Sequence, residues 1–73
     1  MNEKDLVSSV RSSLQAELDE WIGNHYPDEG TEDYERWQRR LAGIQKIETI
    51  DDIYTYAAEF VLDEDEFLER WGL

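Results

Sequence analysis

The sequence predicts an all-α fold of three to four short helices. Two observations carry this expectation. Apolar residues recur at intervals of three and four along most of the 73 residues, and no stretch alternates apolar and polar residues as a half-buried strand does. Residues suited to helix N-caps, Asn2, Thr31, Thr49 and Asp63, stand just before those apolar stretches. The length allows one domain, 1–73, and such a chain buries little core without staples. It has no cysteine, so neither a disulfide nor a thiolate metal site assists. Its nine large rings (Trp 3, Tyr 4, Phe 2) offset that shortage and argue against disorder.

In the first helix Asn2 serves as cap and Asp5 lies in the first turn, near free backbone amides. Leu6, Val10, Leu14, Leu18 and Trp21/Ile22 form its stripe. Gly23-Asn24 is the expected stop, because both tolerate a left-handed backbone. "HYPDEGTED" then reads as a loop, since Pro27 cannot continue a helix and biases Tyr26 out of one.

Thr31 opens the second helix, with Glu32, Asp33 and Glu35 at its positive end and Tyr34, Trp37, Leu41, Ile44 and Ile47 as its stripe. Gly43 inside that stripe costs about 1 kcal/mol against alanine. Close approach of the first helix is the expected reason, with 1–24 and 31–47 forming an αα-hairpin. Thr49 and Asp52 have the spacing of a capping pair for the third helix. Its apolar residues, from Ile50 to Leu62, cover an arc of roughly 240°, against the ~100° of a surface helix. Either it packs on two sides within the chain, or one side meets another chain. Asp63 and Glu66 then cap a short acidic fourth helix, with Phe67, Leu68 and Trp71 inward and Gly72 at its end. The alternative is one helix running on through 63.

Charge restricts the function. Nineteen acids face seven bases, net −12, and residues 49–73 carry eight acids against one base. A nucleic-acid or anionic-membrane binder needs the opposite sign. No apolar run approaches the ~20 residues of a membrane span, and "MNEKDLVSS" lacks the basic and apolar regions of a signal peptide. The expected setting is the cytoplasm.

Chemistry finds little support. Calcium loops need alternate acids, then glycine, then a twelfth-position glutamate; from Asp63 the chain supplies Phe67 and Leu68 instead. His25 is the sole histidine, better placed to favour a helix carbonyl end than to bind metal. Ser8, Ser9, Ser12 and Ser13 have no base beside them in sequence. No catalytic residue, metal or cofactor is expected, and the chain reads as a non-enzyme. "ERWQRR" resolves into i,i+4 pairs, Glu32–Arg36 and Glu35–Arg39, leaving Arg40 the freest of its arginines.

The stretch "DYERWQRRLAGIQKIETIDDIYTYAAEF" resembles the second half of small acidic helical hairpin proteins encoded by tailed bacteriophages. Tyr34, Leu41-Ala42-Gly43-Ile44 and the long helix after Ile47 carry the likeness, which covers residues 1–60 and omits the acidic tail. It implies a non-enzymatic protein that acts by binding other proteins, and it transfers no functional residue.

The expected function is therefore protein binding. Tyr56 and Phe60, flanked by Asp52, Glu59 and Asp63, would form an acidic-aromatic face, extended by Glu64, Asp65 and Glu66. Its partner would be a basic protein, a nucleic-acid-binding one among the options, or a second copy in a homodimer. The same carboxylates, with Asp51 and Glu69, would alternatively mimic nucleic-acid phosphates in the groove of a nuclease, restriction enzyme or CRISPR complex. A third option is an assembly subunit whose partner supplies the function.

Overall fold

Side-chain oxygens set where each helix begins. Asn2 accepts from the Asp5 N–H at 2.8 Å, and Thr31 from the Tyr34 N–H at 3.3 Å. Thr49 accepts from Asp52 at 3.2 Å, and Asp63 from Glu66 at 3.2 Å. The computed structural model, which describes residues 2–73, accordingly has four helices: α1 (Glu3–His25), α2 (Glu32–Gln45), α3 (Ile50–Phe60) and α4 (Glu64–Arg70). No strand occurs among the described residues. At α3 the cap is reciprocal, because the Asp52 carboxylate also accepts from the Thr49 and Glu48 N–H groups at 3.0 and 2.9 Å. Chain continuity through 63 does not occur: Val61 is extended and Asp63 starts a new helix.

The ends are less local. α1 runs past Gly23-Asn24 to His25, and Tyr26 takes the left-handed conformation at φ 43°. Gly23 and Asn24 merely permit a stop, whereas Pro27 disfavours the right-handed helical region for Tyr26. α4 closes in a Schellman motif: Leu73 N–H bonds Leu68 C=O at 2.8 Å and Gly72 N–H bonds Glu69 C=O at 3.0 Å, with Gly72 at φ 75°. Leu73 and Leu68 both pack against the core.

At ~1.5 Å per residue, the 23 residues of α1 span about 35 Å and set the 39 Å long dimension of a body 20 × 19 Å across. α2 folds back on α1. α3 then runs beside α1 in the same sense. Its first N–H, of Ile50, reaches Glu3 at 3.5 Å, and its far end shares a groove with Leu14 and Glu17. One core joins Val7, Val10, Leu14 and Leu18 of α1 to Ile44, Ile47, Ile53, Tyr56, Ala57 and Phe67. Val7, outside the expected stripe, is part of it. The indole N–H groups of Trp37 and Trp71 are covered without a hydrogen-bond partner, a cost of about 1–3 kcal/mol each. Among the described residues no helix is long and apolar enough to cross a membrane.

Gly43 does mark a close approach, but of α3 rather than of α1. A Cβ there would lie 2.7 Å from the Phe60 ring and 3.3 Å from the Tyr56 ring. The wide apolar arc of α3 has the same origin, since α3 touches all three other helices. Tyr56 is consequently only 7 % exposed, so its ring is core and cannot be the surface anchor expected of it. Phe60 is half-buried beside it, with ring centroids 4.9 Å apart.

Candidate protein-binding surface

The turn between α3 and α4 is short because two local devices meet there: α3 ends at Phe60 and Asp63 already caps the next helix. Three residues bridge the two helices. The corner opens a groove of about 360 Å³. Leu14, Tyr56, Phe60 and Phe67 supply its apolar lining, and Glu17, Arg40, Asp63, Glu66 and Arg70 its polar lining. Leu62, also at the groove, has its side chain wholly in solvent, at 107 % exposure. An apolar residue just before an N-cap ordinarily packs on the fourth helical residue. That residue is Phe67, only 8 % exposed, yet Leu62 stands away in water.

The structure thus brings together four residues expected from sequence: Tyr56, Phe60, Asp63 and Glu66. The other four lie elsewhere. Glu59 and Phe60 line a smaller hollow with Arg36, Arg39 and Arg40 of α2. Glu64 and Asp65 are exposed in the first turn of α4, outside the groove. Asp52 is a structural cap, and the expectation that it belongs to the partner-binding face does not fit its geometry. The hydrogen bond from the Glu48 N–H is the largest influence and holds its carboxyl below the usual carboxylate range; burial, next in size, opposes it, and the Thr49 N–H and hydroxyl add smaller lowering effects.

Tyr56 differs from the other core residues. Burial pushes its phenol above the ordinary value, the Arg40 charge pulls it down, and the Glu17 charge raises it again. Its hydroxyl thus lies within the field of two groove residues, and it is not one of the covered unpaired polar atoms, which among the described residues are the Trp37 and Trp71 indole N–H groups. Glu17 is engaged by Arg70 at 3.3 Å, a contact between residues 53 apart in sequence. Arg36 pairs with Glu32 at 2.8 Å and with Asp33 at 3.8 Å. The expected Glu35–Arg39 pair does not form, and Arg40 makes no ion pair among the described residues.

A second exposed strip lies on the outer side of α3. Tyr54 is 42 % exposed and Ala58, one turn on, is exposed too, with Asp51 and Thr55 beside them. Sequence periodicity alone did not separate this side from the Tyr56 side, because both carry rings.

His25 stacks on Trp21 at 4.6 Å and donates from Nδ1 to the Trp21 carbonyl at 2.9 Å, closing the end of α1. Among the described residues no three His, Asp or Glu side chains converge on a metal position. Comparison with protein-family models, curated proteins and solved structures finds no match to this chain.

Proposed function

We propose that the protein is a non-enzymatic binding module whose acidic C-terminal half engages a basic protein. One observation carries this reading: the fold leaves the charge of that half uncompensated. Its single base, Arg70, is spent on Glu17 of α1, while Asp51, Glu59, Glu64, Asp65 and Glu69 are exposed without an ion pair among the described residues. Apolar side chains, Leu62 and Tyr54, stand exposed among these acids. Carboxylates would steer a basic partner into encounter and the apolar groups would hold it. The likeness to phage-encoded acidic hairpins is compatible with such a role, as an inhibitor or adaptor of a host protein in the cytoplasm.

The test is capture from a host extract at low and high salt, with wild type and with Glu64→Gln, Asp65→Asn. Capture of basic proteins that fails with the double variant at low salt supports the reading. Equal capture by both removes the acidic surface from it.

Phosphate mimicry is the second reading, favoured by shape. Twelve net negative charges over 39 Å amount to one per about 3.3 Å. A single nucleic-acid strand within a duplex carries one per about 3.4 Å. Captured proteins released by added single-stranded DNA would favour mimicry over a groove-held partner.

A further inference from the structure

We infer that α4 is a latch. Residues 62–73 lift from α1 as one unit while α1, α2 and α3 stay folded, with the Glu17–Arg70 ion pair as the clasp. The opened state bares the apolar lining of the α3–α4 corner, Leu14, Tyr56 and Phe60. This goes beyond the protein-binding reading and stands independently of it.

The attachment of α4 is slight. The helix has seven residues and cannot persist away from its seat. Its backbone approaches α3 alone among the helices, whereas α3 also meets α1 and α2. The seam toward α1 is not filled: a groove of about 360 Å³ is lined by Glu66, Phe67 and Arg70 of α4 and by Leu14 and Glu17 of α1. Atoms facing such a gap forfeit their dispersion attraction. Leu62, which would ordinarily pack on Phe67 and fix the entry angle of the helix, stands in water, so the hinge is unpinned. The covered indole N–H of Trp71 has no hydrogen-bond partner, and opening returns it to water.

Charge works against the seat as well. Residues 63–70 carry five acids and one base, and the rest of the chain is itself net acidic. One ion pair draws α4 inward, Arg70 to Glu17 at 3.3 Å, and both side chains are more than half exposed. Arg40 of α2 lines the same groove without pairing with Asp63 or Glu66. What remains is the burial of Phe67, with Leu68, Trp71 and Leu73 packed against the same core. That burial keeps the closed state dominant, while the weak seat sets the opening of α4 below the cost of unfolding the whole chain. A partner that needs Leu14, Tyr56 or Phe60 would bind only the opened fraction, with its affinity lowered in proportion.

Amide hydrogen exchange in the ¹⁵N-labelled full chain, followed across low urea concentrations, tests this. The amides of Phe67, Trp71, Gly72 and Leu73, which bond to the carbonyls of Asp63, Leu68 and Glu69, report on α4. They should share one opening constant, at least about tenfold larger than that of Leu14 and Leu18 in α1, and respond less to urea because less surface is exposed. Glu17→Gln leaves the sequence of α4 intact and should raise that constant about threefold. Ile44→Val, at a buried position of α2 whose packing persists when α4 is open, should raise the constant of Leu14 and Leu18 about fivefold and leave that of α4 unchanged.

If the four amides exchange only as fast as Leu14 and Leu18, α4 opens only when the whole chain unfolds, and the latch is overturned. If their constants instead rise one by one toward Leu73, the end frays residue by residue, which overturns it too. Ile44→Val moving both sets of amides equally would do the same. A Glu17→Gln variant whose α4 constant matches wild type removes the clasp. None of these outcomes alters the capture of basic proteins by the acidic surface, so the two readings fail separately.

Discussion

The α1–α2 hairpin and the α3–α4 half solve the same problem in different ways. Both must bury apolar stripes in a chain with few residues to spare. The hairpin does it with length: α1 alone places Val7, Val10, Leu14 and Leu18 in the core. Its charges also meet locally, as Arg36 does with Glu32 and Asp33. The second half has helices of 11 and 7 residues, too short to persist alone in water. It relies on capping at Thr49, Asp52 and Asp63, on the Gly72 closure, and on the seat that α1 and α2 provide. The difference teaches where function has room. Charge in the hairpin is partly paired, while in the second half it is mostly free.

The strongest way to break this contrast is to ask whether the halves fold together. Ile53, fully buried on α3, belongs to the same core as the α1 stripe. Ile53→Ala should cost about 2–5 kcal/mol. Tryptophan fluorescence, which samples both halves, should report the same urea midpoint as far-ultraviolet circular dichroism. Separate midpoints would show that the α3–α4 half melts alone.

Gly43 tests the contact between halves. Gly43→Ala gains about 1 kcal/mol of helix propensity but drives a Cβ into Phe60. Overpacking costs about 1–3 kcal/mol, so a net loss of roughly 1 kcal/mol is expected. In a double-mutant cycle with Phe60→Ala that loss should disappear. A loss that persists would place the strain elsewhere.

Asp52 and the Glu64–Asp65 pair separate acids that hold the fold from acids that do not. The Asp52 carboxyl is depressed in the folded chain, chiefly by the Glu48 N–H. Its contribution is therefore present above the ordinary carboxylate value and is lost as pH falls through the lower folded value. Urea unfolding across that window should show Asp52→Asn less stable than wild type near neutrality, with the gap closing on acidification. Glu64→Gln, Asp65→Asn should have the smallest effect on stability, about 1 kcal/mol or less, since only the helix dipole favours those charges. Their loss should instead slow association with a basic partner at low salt.

Capping was legible in the sequence because it is a local matter. A threonine or aspartate and an amide three residues on decide it, and Asn2, Thr31, Thr49 and Asp63 behave as their positions foretold. The helical class followed from spacing, and the net charge from counting. Of the expected surface, Tyr56, Phe60, Asp63 and Glu66 share the groove, but Tyr56 does so as a core ring turned inward, and Asp52 serves as a cap. The cap role of Asp52 was already legible in its spacing from Thr49, whereas only the tertiary structure turned Tyr56 inward, paired Arg70 with Glu17 and left Arg40 without an ion pair among the described residues. Periodicity states that a side is apolar but not which helix will cover it. That depends on approach distances such as the one Gly43 permits, where α2 and α3 close over Tyr56 and leave its hydroxyl at the groove.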